Sequence, residues 1–310
     1  MDSILSPLYF AVSFVIKAIH RLLSPIFGAS SGVSWSLAIV GLVILIRIIL
    51  IPLFVKQIKS QRALQALQPK MKELQKKHKD DRAKQSEELM KLYKEHNTNP
   101  LASCFPIVAQ APIFFTLFRV LNGIGKTPPH PYGVLTLADV NNAANAHFFG
   151  APISATFLGS SVSSVKLVTV VLIILMSATT FITQRQLMMK GMPAASLENN
   201  PMVQQQKILL YVFPLIFAVS GVNFPVGVLI YWLTTNMWTM GQQLYVIRRN
   251  PTPGSPAFEE WERRQSAKQK SVAPGSDSAV NESGVEGVDE IQTPGQRVQP
   301  KRKKPKRPKK

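Results

Sequence analysis

The chain has 310 residues, a formal net charge of +19 and a hydrophobic fraction of 46%, yet only 17% of its residues are charged. Basic and apolar residues occupy separate blocks, which argues against an ordinary soluble globular fold and for a membrane protein. Cys104 is the only cysteine, which excludes an intramolecular disulfide framework and a paired-thiol site.

In residues 1–33, the polar positions Ser6, Ser13, Lys17, His20, Arg21 and Ser24 recur along one helical face. Charge follows the apolar part instead of preceding it, the reverse of a signal peptide. The segment is expected to be an amphipathic helix lying in the outer membrane interface. About 20 apolar residues are needed to cross the hydrocarbon layer. Residues 34–55 meet that length, interrupted only by Arg47, and form the first expected span.

Residues 56–100 are rich in Lys, Glu, Gln, Leu and Met, all good helix formers. Leu64, Leu67, Met71 and Leu74 form one apolar stripe, and Ala83, Leu89, Leu92 and Tyr93 form another after Asp80-Asp81. Two helices folding back on each other satisfy both stripes, with Pro69 bending the first arm. Residues 101–122 form the second span, in which Pro106 and Pro112 predict kinks. Residues 123–165 read as an irregular loop around Pro128-Pro129-His130-Pro131.

Residues 166–184 are the third span and 185–207 a loop; 208–222 and 224–246 form a tight final pair of spans around Asn223-Phe224-Pro225. From 247 to 310 the mixture of Pro, Gly, Ser and charge predicts a disordered tail. It ends in the basic run Lys301, Arg302, Lys303, Lys304, Lys306, Arg307, Lys309 and Lys310. Such a run binds polyanions by charge, whether RNA or anionic lipid headgroups, or simply anchors the topology.

Lysine and arginine set the orientation. Residues 56–100 hold twelve of them and the chain from 246 onward fifteen, whereas 123–165 hold only Lys126. The positive-inside rule then places the hairpin and C-terminus in the cytoplasm and the N-terminus outside, which requires five spans. The expectation is an all-α, multi-pass membrane protein.

Arg47 lies nine residues before Lys56, hence ~13 Å below the first cytoplasmic charge. None of the expected spans contains an Asp or Glu to pair with it. Gln110 falls at a similar depth in the second span. The third span turns polar towards Gln184, and the fifth carries Thr235, Asn236 and Thr239 in its cytoplasmic half. Some of these residues could serve helix–helix hydrogen bonding. Their shared depth fits better with a wet groove that opens to the cytoplasm and stops partway across. No phosphate loop, nucleophile–base pair or metal-ligand spacing occurs, so no enzyme activity, cofactor or metal is expected.

Several motifs, taken together and in this order, resemble the YidC insertase family, which has mitochondrial and chloroplast relatives. They are Ile46-Arg47-Ile48-Ile49-Leu50-Ile51-Pro52-Leu53, Leu67-Gln68-Pro69-Lys70, Leu92-Tyr93-Lys94, Asn99-Pro100-Leu101-Ala102-Ser103-Cys104-Phe105-Pro106, Gln110-Ala111-Pro112-Ile113-Phe114 and Phe224-Pro225-Val226-Gly227-Val228-Leu229-Ile230-Tyr231-Trp232. The resemblance covers residues 5–249. It implies a membrane protein insertase and chaperone of a bacterial cytoplasmic membrane that acts alone or with the Sec translocon on nascent membrane proteins. It further implies that Arg47 is the groove charge and Trp232 a client-contact position. The hairpin, with Lys70, Lys76, Lys77 and Arg82, would face client or ribosome. The chain departs from some relatives in lacking a large external domain, an N-terminal lipid-attachment cysteine, and a polar residue at Val43. A different reading is a transporter or channel with a half-membrane pocket, although no internal repeat supports it. A third is a passive membrane receptor that docks ribosomes through its tail and hairpin.

Overall fold

In the computed structural model, residues 2–96, 98, 105–126, 128–191 and 201–272 are described. Cys104 and the basic run 301–310 lie outside them. The elements in order are α1 (Asp2–Phe27), α2 (Gly32–Ile49), α3 (Ile51–Ala66), α4 (Gln68–Lys77), α5 (Arg82–Glu95) and α6 (Phe105–Ile124). Then come α7 (Leu137–Ala144), β1 (His147–Phe148), β2 (Ala151–Pro152), α8 (Ser163–Gly191), α9 (Pro201–Gly221), α10 (Val226–Arg249) and α11 (Pro256–Val272). Three helical stretches are long and apolar enough to cross a membrane: Leu5–Phe27, Gly32–Ile49 and Ser163–Gly191. Shorter apolar stretches run over Val108–Ile124 and Leu210–Gly221.

The core joins α2, α6, α8 and α10, with α1 packed on α2 and α6. It is densest at one end. Trp35, Ile39, Leu42, Leu117 and Leu121 are fully buried there, as is every α10 residue from Val226 to Tyr231. Val43 belongs to this apolar core. From Trp232 onward α10 is only partly covered until Ile247, so the bundle loosens towards its other end.

Prolines punctuate the helices as their missing N–H requires. Pro52 cannot donate to the Ile48 carbonyl, and α2 gives way to α3 at Leu50. Pro69 falls in the first turn of α4, so the first arm is interrupted at Leu67 and restarts. Helix α5 begins at the Asp81 cap, whose carboxylate accepts from Lys84 N at 2.9 Å. Helices α4 and α5 lie side by side. Tyr93 Oη donates to Met71 Sδ across 3.7 Å, and Gln85 Nε2 donates to the Gln75 carbonyl across 3.2 Å.

Two expectations are corrected. The segment 123–165, read as irregular, contains α7 and a two-stranded antiparallel ribbon pairing His147 with Pro152. A reciprocal capping box between Thr136 and Asp139 starts α7. Carbonyls of Ile153 and Ala155 accept from Gly227 N (2.8 Å) and Val226 N (3.0 Å), satisfying the free first turn of α10. The loop is ordered because it caps the bundle. The tail beyond 247, read as disordered, contains α11. Ser255 caps it, with Pro256 in the first turn, the Phe258 and Trp261 rings stacked at 5.7 Å, and an Arg263–Glu259 pair one turn apart.

Helix α1 docks through its polar face. Lys17 Nζ donates to the Val134 carbonyl (3.0 Å) and to Asp139 Oδ2 (2.5 Å), and Ser13 Oγ accepts from Val134 N at 2.9 Å. His20 stacks on Trp35 at 4.1 Å; the Ala29 carbonyl accepts from Trp35 Nε1 at 3.0 Å and lies 3.0 Å from His20 Nε2. Gly133 takes a positive φ of 63°, and a Cβ there would lie 2.4 Å from the Tyr9 carbonyl oxygen. No other residue allows so close a crossing of loop and helix. The opposite face of α1, with Phe10, Phe14, Leu22 and Ile26, is exposed.

Candidate functional site

Arg47 stands in the last turn of α2, where the dense packing ends, and is 7% exposed. Its Nη2 donates to Thr239 Oγ1 on α10 at 3.1 Å, and its guanidinium lies 5.2 Å from the centre of the Phe54 ring. Thr239 Oγ1 in turn donates to the Thr235 carbonyl at 2.8 Å, which leaves a lone pair facing Arg47. These groups border a cavity of about 240 Å³ between α2, α3, α6 and α10. Gln57, Gln110, Gln242 and Gln243 supply its polar wall, and Ile58 and Val246 its apolar one. Among the described residues, no Asp or Glu lines it.

A buried guanidinium without a carboxylate keeps a strong field in its cavity, because no acidic side chain among the described lining residues neutralises it. Neutral amides and hydroxyls can hydrogen-bond to water or to a polypeptide backbone without fixing one partner. The arrangement can therefore hold water and attract polar or negatively charged groups. It offers no nucleophile or acid–base pair.

Arg47, Gln110 and Thr239 meet in this cavity. Gln110 also reaches up to the Tyr231 hydroxyl, which closes the polar region against the apolar core. Thr235 lies one turn above Thr239 with its hydroxyl buried. The other expected groove residues lie elsewhere. Asn236 donates to the Met176 carbonyl (3.3 Å) and Thr180 Oγ1 (2.8 Å), so it joins α10 to α8. Trp232 sits among Phe114 (5.3 Å), Phe217 (4.6 Å) and Phe224 (5.6 Å). Gln184 is half-buried on α8 and does not line the cavity.

Lys70, Lys76, Lys77 and Arg82 are all exposed on α4 and the start of α5, and Lys70 Nζ lies 3.1 Å from His96 Nε2. Sequence reasoning missed Phe54, Gln57 and Tyr231 as site residues, whereas Gln242 and Gln243 fall in the polar cytoplasmic half it assigned to the fifth span. One signal was available: Thr235, Thr239, Gln242, Gln243 and Val246 recur at three- and four-residue spacing, one face of α10.

The family described as 60Kd inner membrane protein matches residues 26–253. A membrane protein insertase YidC of Streptomyces avermitilis is 55% identical over 83% of this chain and 62% of its own length. The YidC of Tropheryma whipplei (strain Twist) is 34% identical over 91% of this chain and 95% of its own. The chain belongs to the YidC membrane protein insertase family. The Bifidobacterium longum YidC adds 33% identity over 98% of this chain and 95% of that protein. The chain thus spans somewhat under two thirds of the Streptomyces relative and nearly all of the other two. A solved YidC insertase structure aligns at a TM-score of 0.49 and 22% identity, over 79% of this chain and 46% of that one. With this membership and its long apolar helices, the YidC-family chain is a multi-pass bacterial inner-membrane protein.

Proposed function

We propose that the protein inserts client membrane proteins by drawing polar segments into the Arg47 cavity while their apolar spans pass directly into lipid. The observation that carries this reading is a buried arginine with amide and hydroxyl neighbours and, among the described residues, no carboxylate on its cavity wall. An arginine at helix centre costs ~2.5–3.5 kcal/mol even on the lenient insertion scale. A cost of that size, left without a salt bridge, is intelligible if the charge serves something that enters from outside. The packing gradient along α10 supports entry from one side only: the half beside the capping loop is dry, and the half beside α3 is open. A full-width channel would need polar residues in both halves.

In this reading five helices (α2, α6, α8, α9 and α10) cross the membrane and α1 lies in the outer interface. The exposed apolar face of α1 and the docking of its polar face on the 132–139 loop support that placement. The N-terminus is outside and the C-terminus inside, in keeping with the lysine and arginine distribution. Helices α4 and α5 form a cytoplasmic hairpin that meets nascent chains and ribosomes, and the Sec translocon is a working partner. The direct test is co-reconstitution with a short single-span client in liposomes. Client protection from protease should require the protein, and should fall when Thr239 and Gln110 are both replaced by Leu. Undiminished insertion by that double variant would remove the cavity from the mechanism.

A further inference from the structure

A second cavity, about 430 Å³, lies where α8, α10 and α11 meet. Its rim carries four cations: Lys190 from α8, Arg248 from α10, and Arg263 and Arg264 from α11. One carboxylate, Glu260, faces them, 3.8 Å from Lys190, and both of these side chains are more than half exposed. Such a pair is weak, and so is the exposed pair of Arg263 with Glu259 on its own helix (3.8 Å); four cations against these two carboxylates leave the rim with two net positive charges. The Nε of Arg264 donates to the Glu260 carbonyl at 3.1 Å, which steadies its guanidinium. Lys190 and Arg248 also complement the C-terminal ends of their own helices. That role accounts for neither of the α11 arginines nor for the cavity they close.

The surface of α8 leading to this cleft is mostly apolar, interrupted by the exposed Arg185. On α8, Val171, Leu175, Ile182 and Met189 follow one another at helical spacing on the outer face, each more than 40% exposed. This row runs along the span to the turn that carries Lys190. An arginine-rich rim recognises phosphate oxygens in bidentate fashion. An apolar row running away from that rim suits an acyl chain, which a polynucleotide does not have.

We infer that the cleft between α8, α10 and α11 is a binding site for an anionic phospholipid, with its headgroup phosphate on Lys190, Arg248, Arg263 and Arg264 and an acyl chain along the outer face of α8. The chain's own terminal run is no candidate occupant, since residues 301–310 share the sign of the rim. The lipid would fasten α11 to the end of the bundle, next to the turn where α10 leaves the membrane. This site is separate from the Arg47 cavity and from the basic tail.

The test uses the full chain in phosphatidylcholine vesicles doped with phosphatidylglycerol carrying a photoreactive acyl chain. Adducts are mapped by peptide mass spectrometry. Labelling should concentrate on α8 between residues 171 and 190 and exceed labelling by photoreactive phosphatidylcholine. Lys190→Gln, Arg263→Gln and Arg264→Gln together should lower it at least about tenfold. Arg263→Lys with Arg264→Lys keeps the charge without the fork and should label more strongly than the triple Gln variant but less than the unaltered chain, and an unchanged melting temperature of the triple Gln variant excludes misfolding as the cause. Equal labelling by the two lipids, or labelling unchanged in the triple Gln variant, would overturn the inference. So would displacement by a short RNA or by glycerol phosphate as effective as that by unlabelled phosphatidylglycerol, which would assign the rim to RNA or to a soluble phosphate.

Discussion

Removing the charge of Arg47 while keeping a donor for Thr239 isolates what the charge does, and Arg47→Gln achieves this. The cavity of about 240 Å³ has room for about eight waters at ~30 Å³ each. A client carboxylate entering it would feel an effective dielectric between the protein and bulk-water values. At ~4 Å from the guanidinium, the attraction is then about 1–4 kcal/mol. A working figure of about 2 kcal/mol corresponds to about a 30-fold change in rate. The assay compares purified variants in liposomes, using two single-span clients that differ only in an acidic or a neutral translocated tail. Insertion of the acidic client should slow by about 30-fold and that of the neutral client by no more than about threefold. Arg47→Lys should retain most activity if a point charge suffices. Equal losses for the two clients would refute charge attraction and leave Arg47 as a wetting residue only.

Arg47→Leu should raise the melting temperature in detergent while abolishing insertion of the acidic client, because it removes a buried charge whose desolvation no carboxylate among the described cavity residues offsets; a lower melting temperature would show that the Thr239 and Phe54 contacts outweigh that cost. For Asp139, burial alone would push the carboxyl up, but hydrogen bonds from Lys17 and Thr136 outweigh it and hold it below the ordinary carboxylate range. The stability this brings is full above about pH 4 and is lost as pH falls through the lowered value. Thermal scans from pH 3 to pH 7 should show a steep acid limb that Asp139→Asn flattens. Gly32→Ala would put a Cβ 2.0 Å from the His147 carbonyl oxygen, so it should lower yield and melting temperature sharply; a wild-type melting curve would mean that β1 does not sit against α2. Ser255→Ala removes the cap of α11 at a cost of about 1 kcal/mol, read as faster hydrogen exchange over residues 256–266 with the spans unchanged.

What the sequence made legible was local. Apolar runs located the helices α2, α6, α8, α9 and α10 because a long apolar helix writes its length directly into composition. Helices α4 and α5 were legible because their stripes and the Asp80-Asp81 break are short-range signals. The ordered loop was not, because its order depends on contacts far apart in sequence. Lys17 meets Asp139 across 122 positions, and the Ile153 carbonyl caps α10 more than seventy residues later. Helix α11 was missed for a different reason. Averaged over residues 247–310, composition signals disorder, and the average hid a good local start at Ser255-Pro256 followed by Glu259, Glu260, Arg263 and Arg264.

The candidate site shows the same limit more finely. Depth along a span follows from counting residues, and depth alone grouped Arg47, Gln110, Gln184, Asn236 and Thr239. Azimuth then separates them. Asn236 is three residues before Thr239, so it sits about 60° from it around α10. That rotation is enough to turn Asn236 onto Thr180 while Thr239 meets Arg47. A polar residue at the right depth therefore has two possible uses, joining helices or lining a cavity. A third neighbour decides between them: Asn236 finds its partners on the adjacent α8, whereas the glutamines beside Thr239 face a space bounded by α2, α3 and α6. Arg47 belongs to the second kind. Its depth could be counted from the sequence, but the cavity around it exists only because α3 continues past Leu50 and carries Phe54 and Gln57 back beside the guanidinium. The break at Leu50, two residues ahead of Pro52, thus shapes the site as much as the arginine does.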